Sequence, residues 1–287
     1  MNAPGQFSTN FRAAVGAQEP VTWIDANGIR LAATRRGSGK PIICLHALGH
    51  GARDFEELAK RLGDNFEIVS LDWPGQGLSP PDGIVPTAER YERILEMAMD
   101  ALKIDRAIII GNSIGGAAAL RLAARAPERA VALVLCDTGG LIRITPAVRF
   151  VILRMSAFFA AGEGGAKWFA RGFYFYYRWI VLPRAPQHAR RIVASAYEIA
   201  GILRAAWQAF AKPDADIRAL VPCIDCPVMI AWAKSDRVIS WSLTKTAARR
   251  FRDVRIRFFR GGHSPFLEDT ERFTRDFRQF ARDKKLI

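Results

Sequence analysis

The sequence is poor in the residues that build covalent or metal-held scaffolds. Among its 287 residues only four are cysteine and four are histidine. Disulfide-stapled domains carry cysteine far more densely, so this fold must rest on a buried apolar core. Cys223 and Cys226 form a C-x-x-C, but no second C-x-x-C or paired histidines complete a zinc site. Two small residues leading into a strand is the simpler reading, and no metal site is expected. Cys44 and Cys136 lie in the apolar runs PIICLHA and AVALVLCDT and read as buried strand residues.

Long hydrophobic runs are missing too. A membrane-spanning helix needs roughly eighteen or more apolar residues in succession. The longest apolar tracts, around 148–161 and 173–182, are broken by Arg149, Arg154 and Arg178. The stretch from Met1 to Pro20 lacks the basic start and apolar core of a secretory signal, so the expected location is cytoplasmic. No repeat of fixed period is present.

Acidic residues are also scarce: 28 Asp and Glu stand against 42 Lys and Arg, a net charge of +14. The excess is not a tail. Between Leu141 and Ala215 there are eleven basic residues and three acidic ones. Such a surface attracts anions, acidic lipid headgroups or nucleic acid, although solvated arginine is the simpler reading. No nucleic-acid-binding motif accompanies it, and no nucleic-acid partner is expected.

What is present is alternation. The chain is slightly longer than one compact core usually holds, which predicts a core plus an insertion. Short apolar runs alternate with helical patterns, the signature of a mostly parallel sheet covered by helices on both faces. An opening hairpin joins VTWI (21–24) to IRLAATR (29–35) through Asn27-Gly28. Strands follow at PIICLHA (41–47), FEIVSLDW (66–73), RAIII (106–110) and AVALVLC (130–136). Helices are expected near 53–62, 87–102 and 114–126. Residues 141–215 then show helical periodicity, many aromatics and no convincing strand. Alternation resumes with PVMIAWA (227–233), a helix near 242–250, VRIRFF (254–259) and a closing helix from about 268 to 282. The expected organisation is a core begun by residues 1–140, a helical cap at 141–215, and a core completed by 216–287.

Gly111-Asn112-Ser113-Ile114-Gly115 follows a strand and opens a helix, the context of a G-x-S-x-G nucleophile elbow. The turn strains the serine backbone and leaves no room for a Cβ at Gly111 or Gly115. The Oγ of Ser113 is pushed above the sheet, and the helix N-terminus adds partial positive charge. A serine needs a base. Of His46, His50, His188 and His263, only His263 follows the last strand, in the flexible loop Gly261-Gly262-His263-Ser264-Pro265. The base needs a carboxylate to fix its tautomer. Asp236, just past strand 227–233, is the choice, and Asp137, just past strand 130–136, is the rival. The amides of Leu48 and Ile114 are expected to form an oxyanion hole. His46 reads as a structural hydrogen-bonder.

These segments resemble the α/β-hydrolase superfamily from about residue 21 to 283. His46-Ala47-Leu48-Gly49 resembles its H-G-x-G oxyanion segment, with alanine in place of the usual glycine. Asp72-Trp73-Pro74-Gly75-Gln76-Gly77-Leu78-Ser79 is similar to a structural turn of that family, and Gly262-His263-Ser264-Pro265-Phe266-Leu267-Glu268 to its terminal segment. The resemblance implies the α/β-hydrolase fold, with the insertion after the sixth strand forming a helical cap over the active site. Of the cap aromatics, Trp168 and Phe173 are expected to line an apolar pocket. Arg171, Arg178 and Arg184 leave open a contact with a substrate carboxylate or a membrane surface.

The expected function is hydrolysis of a small-molecule carboxylic ester with an apolar part, requiring no metal or organic cofactor. Carbon–carbon hydrolysis of a ring-cleavage product is the nearest rival, since Gly-Asn-Ser-Ile-Gly-Gly resembles that subfamily's elbow. Perhydrolysis uses the same triad, and a ligand-binding receptor is the non-enzyme alternative. Serine at position 113 disfavours the branches that use an aspartate nucleophile. Oligomeric state is not legible.

Overall fold

The computed structural model describes residues 20–287. Eight strands form one sheet: β1 (Val21–Ala26), β2 (Ile29–Arg36), β3 (Lys40–Leu45), β4 (Phe66–Leu71), β5 (Ala107–Asn112), β6 (Ala130–Cys136), β7 (Val228–Ala233) and β8 (Val254–Phe259). Their order is β1-β2-β4-β3-β5-β6-β7-β8. Pairing is antiparallel only for β1–β2 and β2–β4; every other pair is parallel. The opening hairpin turns on Asn27 and Gly28 at φ +55° and +84°, values that asparagine and glycine tolerate best.

The central strands are apolar on both faces because helices cover both. Ile43 and Leu45 of β3, Ile109 of β5 and Leu133 of β6 point into one core. That core is closed by α2 (Ala88–Ala101) and α3 (Ile114–Arg125), which contribute Leu95 and Leu120. Their sequence neighbours Ile42, Cys44, Ile108 and Val134 point the other way. There Leu58 of α1 (Glu56–Leu62) and Phe277 of the C-terminal helix close a second core.

Between β6 and β7 the chain is helical: α4 (Pro146–Glu163), α5 (Phe169–Phe175), a wide turn at Tyr176–Val181, α6 (Pro186–Val193) and α7 (Ala196–Phe210). Thr145 caps α4 by accepting from the Val148 N–H, and Pro146 follows at the first turn. Phe159, Phe169, Phe173 and Tyr177 join this insertion to the core on the α2–α3 side. After β7 come α8 (Trp241–Ala248), β8, a single turn α9 (Pro265–Glu268) and α10 (Thr270–Asp283). The closing helix expected from about 268 therefore starts at Thr270. Glu268 ends the preceding turn, its carboxylate accepting from the amides of Gly262 and His263.

Register decides where function can sit. Asn112 of β5 lies beside Cys136 of β6, and Cys136 beside Ala231 of β7. The residues that follow these strands therefore emerge together at one edge of the sheet, the usual place for a site in an open α/β fold.

Candidate active site

Ser113 sits at φ +54°, ψ −115°, a conformation that only an over-determined turn can hold. Its N–H donates to the Cys136 carbonyl at 3.0 Å, and its own carbonyl accepts from Gly139 at 3.0 Å. A Cβ on Gly111 would stand 2.5 Å from the Gly115 carbonyl oxygen, and one on Gly115 2.5 Å from that of Leu45. The sequence reading of both glycines therefore matches the backbone packing.

His263 is buried on the loop after β8, and its Nδ1 lies 3.0 Å from Asp236 Oδ2. A carboxylate only accepts, so Nδ1 carries the proton and Nε2 is left as the acceptor. Asp236 is itself held by the loop that follows β7. Its Oδ1 accepts from the amides of Val238 at 2.7 Å and Ile239 at 3.0 Å.

Asp137 is fully buried beside this pair. One ligand-type atom from each of Asp137, Asp236 and His263 falls within a 4.8 Å cluster. Yet Asp137 Oδ1 accepts from the Ala233 N–H at 2.8 Å, and Oδ2 has no hydrogen-bond partner. Burial first, then the charge of Asp236, pushes its carboxyl well above the usual carboxylate range. The geometry thus pairs His263 with Asp236 and not with the rival acid.

Two residues that sequence reasoning passed over hold the histidine loop in place. Asn112, fully buried beside the serine, donates from Nδ2 to the carbonyls of Cys136 at 3.0 Å and His263 at 2.9 Å. Its Oδ1 accepts from Ser264 Oγ at 2.9 Å. Glu268 accepts from Gly262 at 2.7 Å and, through its other oxygen, from Arg184 of the insertion at 3.0 Å. Burial raises the Glu268 carboxyl against the pull of those amides. Asn112 lies inside the elbow motif and Glu268 inside the terminal motif, but partners more than eighty residues away are not visible in a linear pattern.

The loop after β3 brings Leu48 to the same place. Leu48 and Ile114 both line the cavity that contains Ser113 and His263. Among the described residues, neither N–H donates to a protein acceptor. The loop is shaped by buried polar contacts. Gly49 N–H donates to Gln76 Oε1 at 2.6 Å, and His46 Nε2 accepts from the Trp73 N–H at 3.0 Å. Burial pushes the His46 imidazole down to about 4, consistent with a neutral structural role. Asp72 accepts from Ala52 and Leu78, as a structural turn requires. His50 also lines the cavity. Its Nδ1 bonds to Asp54, which in turn pairs with Arg191 of the insertion. Asp54 is fully buried, but His50 and Arg191 hold its carboxyl below the ordinary range.

The cavity measures about 650 Å³ and is walled mainly by apolar side chains of the insertion and of the loop after β7. Ile152, Met155, Phe159, Tyr176 and Trp207 face it from the insertion, and Val238 from the other side. Trp168 and Phe173, the aromatics expected there, do not line it. Trp168 lies 55% exposed on the outer surface. Phe173 is fully buried between Phe169 and Tyr177, with ring centroids 5.2 and 4.7 Å away, and serves the insertion's own core. Cys223 and Cys226 are free thiols. No helix among the described residues is long and apolar enough to cross a membrane.

Known proteins are similar to this chain in sequence and fold. A serine hydrolase-like protein of Danio rerio is 33% identical over 137 residues, 47% of this chain and 41% of that one. The 2-hydroxy-6-oxo-6-phenylhexa-2,4-dienoate hydrolase of Burkholderia cepacia is 25% identical over 265 residues, covering 83% of this chain and 86% of that enzyme. The chain spans less than half the length of three relatives that are more than 30% identical to it. A thermophilic esterase from Thermogutta terrifontis superposes with a TM-score of 0.77 at 22% identity, over 92% of this chain and 99% of that one. The family pattern of the alpha/beta hydrolase fold matches residues 40–270. The chain belongs to the alpha/beta hydrolase fold family.

Proposed function

We propose that this hydrolase cleaves carboxylic esters with an apolar acyl or alcohol part, through an acyl-enzyme on Ser113. The observation that carries the reading is convergence: a strained serine, an Asp236-bound histidine and two undonated amides border one largely apolar cavity. His263 Nε2 takes the Ser113 proton as Oγ attacks the ester carbonyl. The amides of Leu48 and Ile114 bind the oxyanion that forms, each contributing about 2.7–4 kcal/mol of transition-state stabilisation. The imidazolium, held by Asp236, then protonates the departing alkoxide. Water, deprotonated by the same nitrogen, attacks the acyl-enzyme and releases the carboxylic acid with Ser113 restored. No step calls for a metal or organic cofactor. The helices of residues 141–215 act as the cap, supplying the apolar wall that selects the substrate.

Carbon–carbon hydrolysis is the second reading. It is supported by the similarity to the dienoate hydrolase and by the Gly111-Asn112-Ser113-Ile114-Gly115-Gly116 elbow, which resembles that of the carbon–carbon hydrolases. A panel of nitrophenyl esters of graded chain length, with one ring-cleavage dienoate, separates the two. Ester hydrolysis predicts turnover that improves with chain length. Turnover of the dienoate alone overturns it.

A further inference from the structure

Helix α4, PAVRFVILRMSAFFAAGE, has eighteen residues, and only Ser156, Phe159 and Gly162 are buried. Ser156 Oγ donates to the Arg204 carbonyl of α7, Phe159 packs on Trp207 of the same helix, and Gly162 lies against the Phe169 ring of α5. The opposite side is apolar and open to solvent: Phe150 is 66% exposed, Val151 59% and Leu153 43%. An ordinary surface helix turns charge to water. Here the only charges before Glu163 are Arg149 and Arg154, both exposed. The neighbouring segment repeats the pattern, with Phe175 and Trp179 exposed and the Arg178 guanidinium 4.2 Å above the Trp179 ring.

We propose that this face of α4 docks on an anionic phospholipid bilayer, with the mouth of the reaction cavity turned toward the lipid. Charge decides among the occupants. The segment 141–215 carries eleven basic and three acidic residues, so a second copy would press like charge on like charge across a two-fold axis. An anionic bilayer instead offers phosphates to the arginines and an apolar boundary to the Phe, Leu and Trp side chains between them. The cavity adds an independent pointer. Val151 and Leu243 are exposed at its rim, while Ile152 and Met155, on the same helix, line its interior. An apolar substrate partitioned in the membrane would pass from lipid to Ser113 along one helix without crossing water. That last consequence rests on the ester-hydrolysis reading; the docking face does not.

Flotation of the full chain with vesicles of phosphatidylcholine alone, and with one quarter phosphatidylglycerol, tests the surface. Binding is expected to the anionic vesicles only, weakening as salt rises. Phe150→Ser with Leu153→Ser should abolish it. Arg149→Gln with Arg154→Gln should weaken it by at least about tenfold. Phe150 and Leu153 lie outside the cavity lining, so both double variants should melt like the parent and hydrolyse a short soluble ester at the parental rate. No binding to either vesicle, or anionic binding that the Phe150–Leu153 variant retains, overturns the proposal. So does an absence of binding with a concentration-dependent dimer that this variant dissolves. Loss of soluble-ester turnover in the parent would count against the ester reading and leave the docking result to stand by itself.

Discussion

Asp137 and Asp236 approach the same histidine from adjacent strands, but only Asp236 is bonded to it, at 3.0 Å from His263 Nδ1. Asp137 spends one oxygen on the Ala233 amide and leaves the other buried without a partner. Two carboxylates this close cannot both ionise cheaply, and burial with the Asp236 charge biases the deeper one, Asp137, toward the neutral form. The pair thus divides into an acceptor that can stabilise an imidazolium and a neutral carboxyl that packs behind it.

This division predicts opposite outcomes for one isosteric change. Asp236→Asn should lower kcat by roughly 10⁴-fold, because the histidine tautomer is no longer enforced. Asp137→Asn replaces a neutral acid with a neutral amide of the same shape that still accepts from Ala233. It should leave kcat within a few-fold of the parent. Steady-state kinetics on one good ester decides the matter. A silent Asp236→Asn together with a damaging Asp137→Asn would show that the catalytic acid comes from β6.

The cavity wall predicts where selectivity resides. Trp207 faces the cavity from α7 and touches Phe159 and Phe210 at the edge of the insertion's core. Trp207→Ala should raise KM for long-chain esters by roughly 10- to 200-fold, the range for one lost apolar contact. With binding lost equally in the ground and transition states, kcat should change little. Esters too short to reach Trp207 should be nearly unaffected. Equal damage to long and short esters, with a lowered melting temperature, would mean that the ring only holds the insertion together.

Much of this was legible in the sequence, and the reasons are local. The run Ile108–Ile110 can only be a strand buried on both faces, and Asn27-Gly28 can only turn the opening hairpin sharply. Ser113 announced itself because a strained elbow excludes side chains at Gly111 and Gly115. The cap aromatics failed for the opposite reason. Where Phe, Tyr and Trp occupy eight of the twelve positions from 168 to 179, periodicity no longer says which face looks inward, and Phe173 is turned to its own core. Asn112 and Glu268 stayed hidden because their partners, at His263, Ser264 and Arg184, are assigned only by the closed fold.

The buried polar groups around the loop after β3 predict an unusual dependence of stability on pH. Burial pushes His46 from 6.5 down to about 4, so its contribution is full above pH 6.5 and fades as pH falls toward 4. That loss amounts to about 3 kcal/mol. Burial pushes Asp72, whose Oδ1 lies 4.0 Å from His46 Nε2, from 3.8 up to about 6. Its contribution runs the other way, full below pH 3.8 and lost as pH rises through 6. Over pH 4 to 6.5 the two offset each other. Asp72→Asn removes one arm, so unfolding free energy from urea titration should fall more steeply on acidification than in the parent, by about 3 kcal/mol across that window. Parallel curves for parent and variant would show that Asp72 does not titrate there.

The proposed reaction requires Ser113 to be the one activated hydroxyl. A fluorophosphonate probe attacks only a serine that has a paired base and an oxyanion hole. Peptide mapping of the labelled protein should find a single phosphonylated residue, Ser113, with labelling abolished in Ser113→Ala and greatly slowed in His263→Ala. Labelling that persists in Ser113→Ala, or a parent protein that does not react, would contradict it.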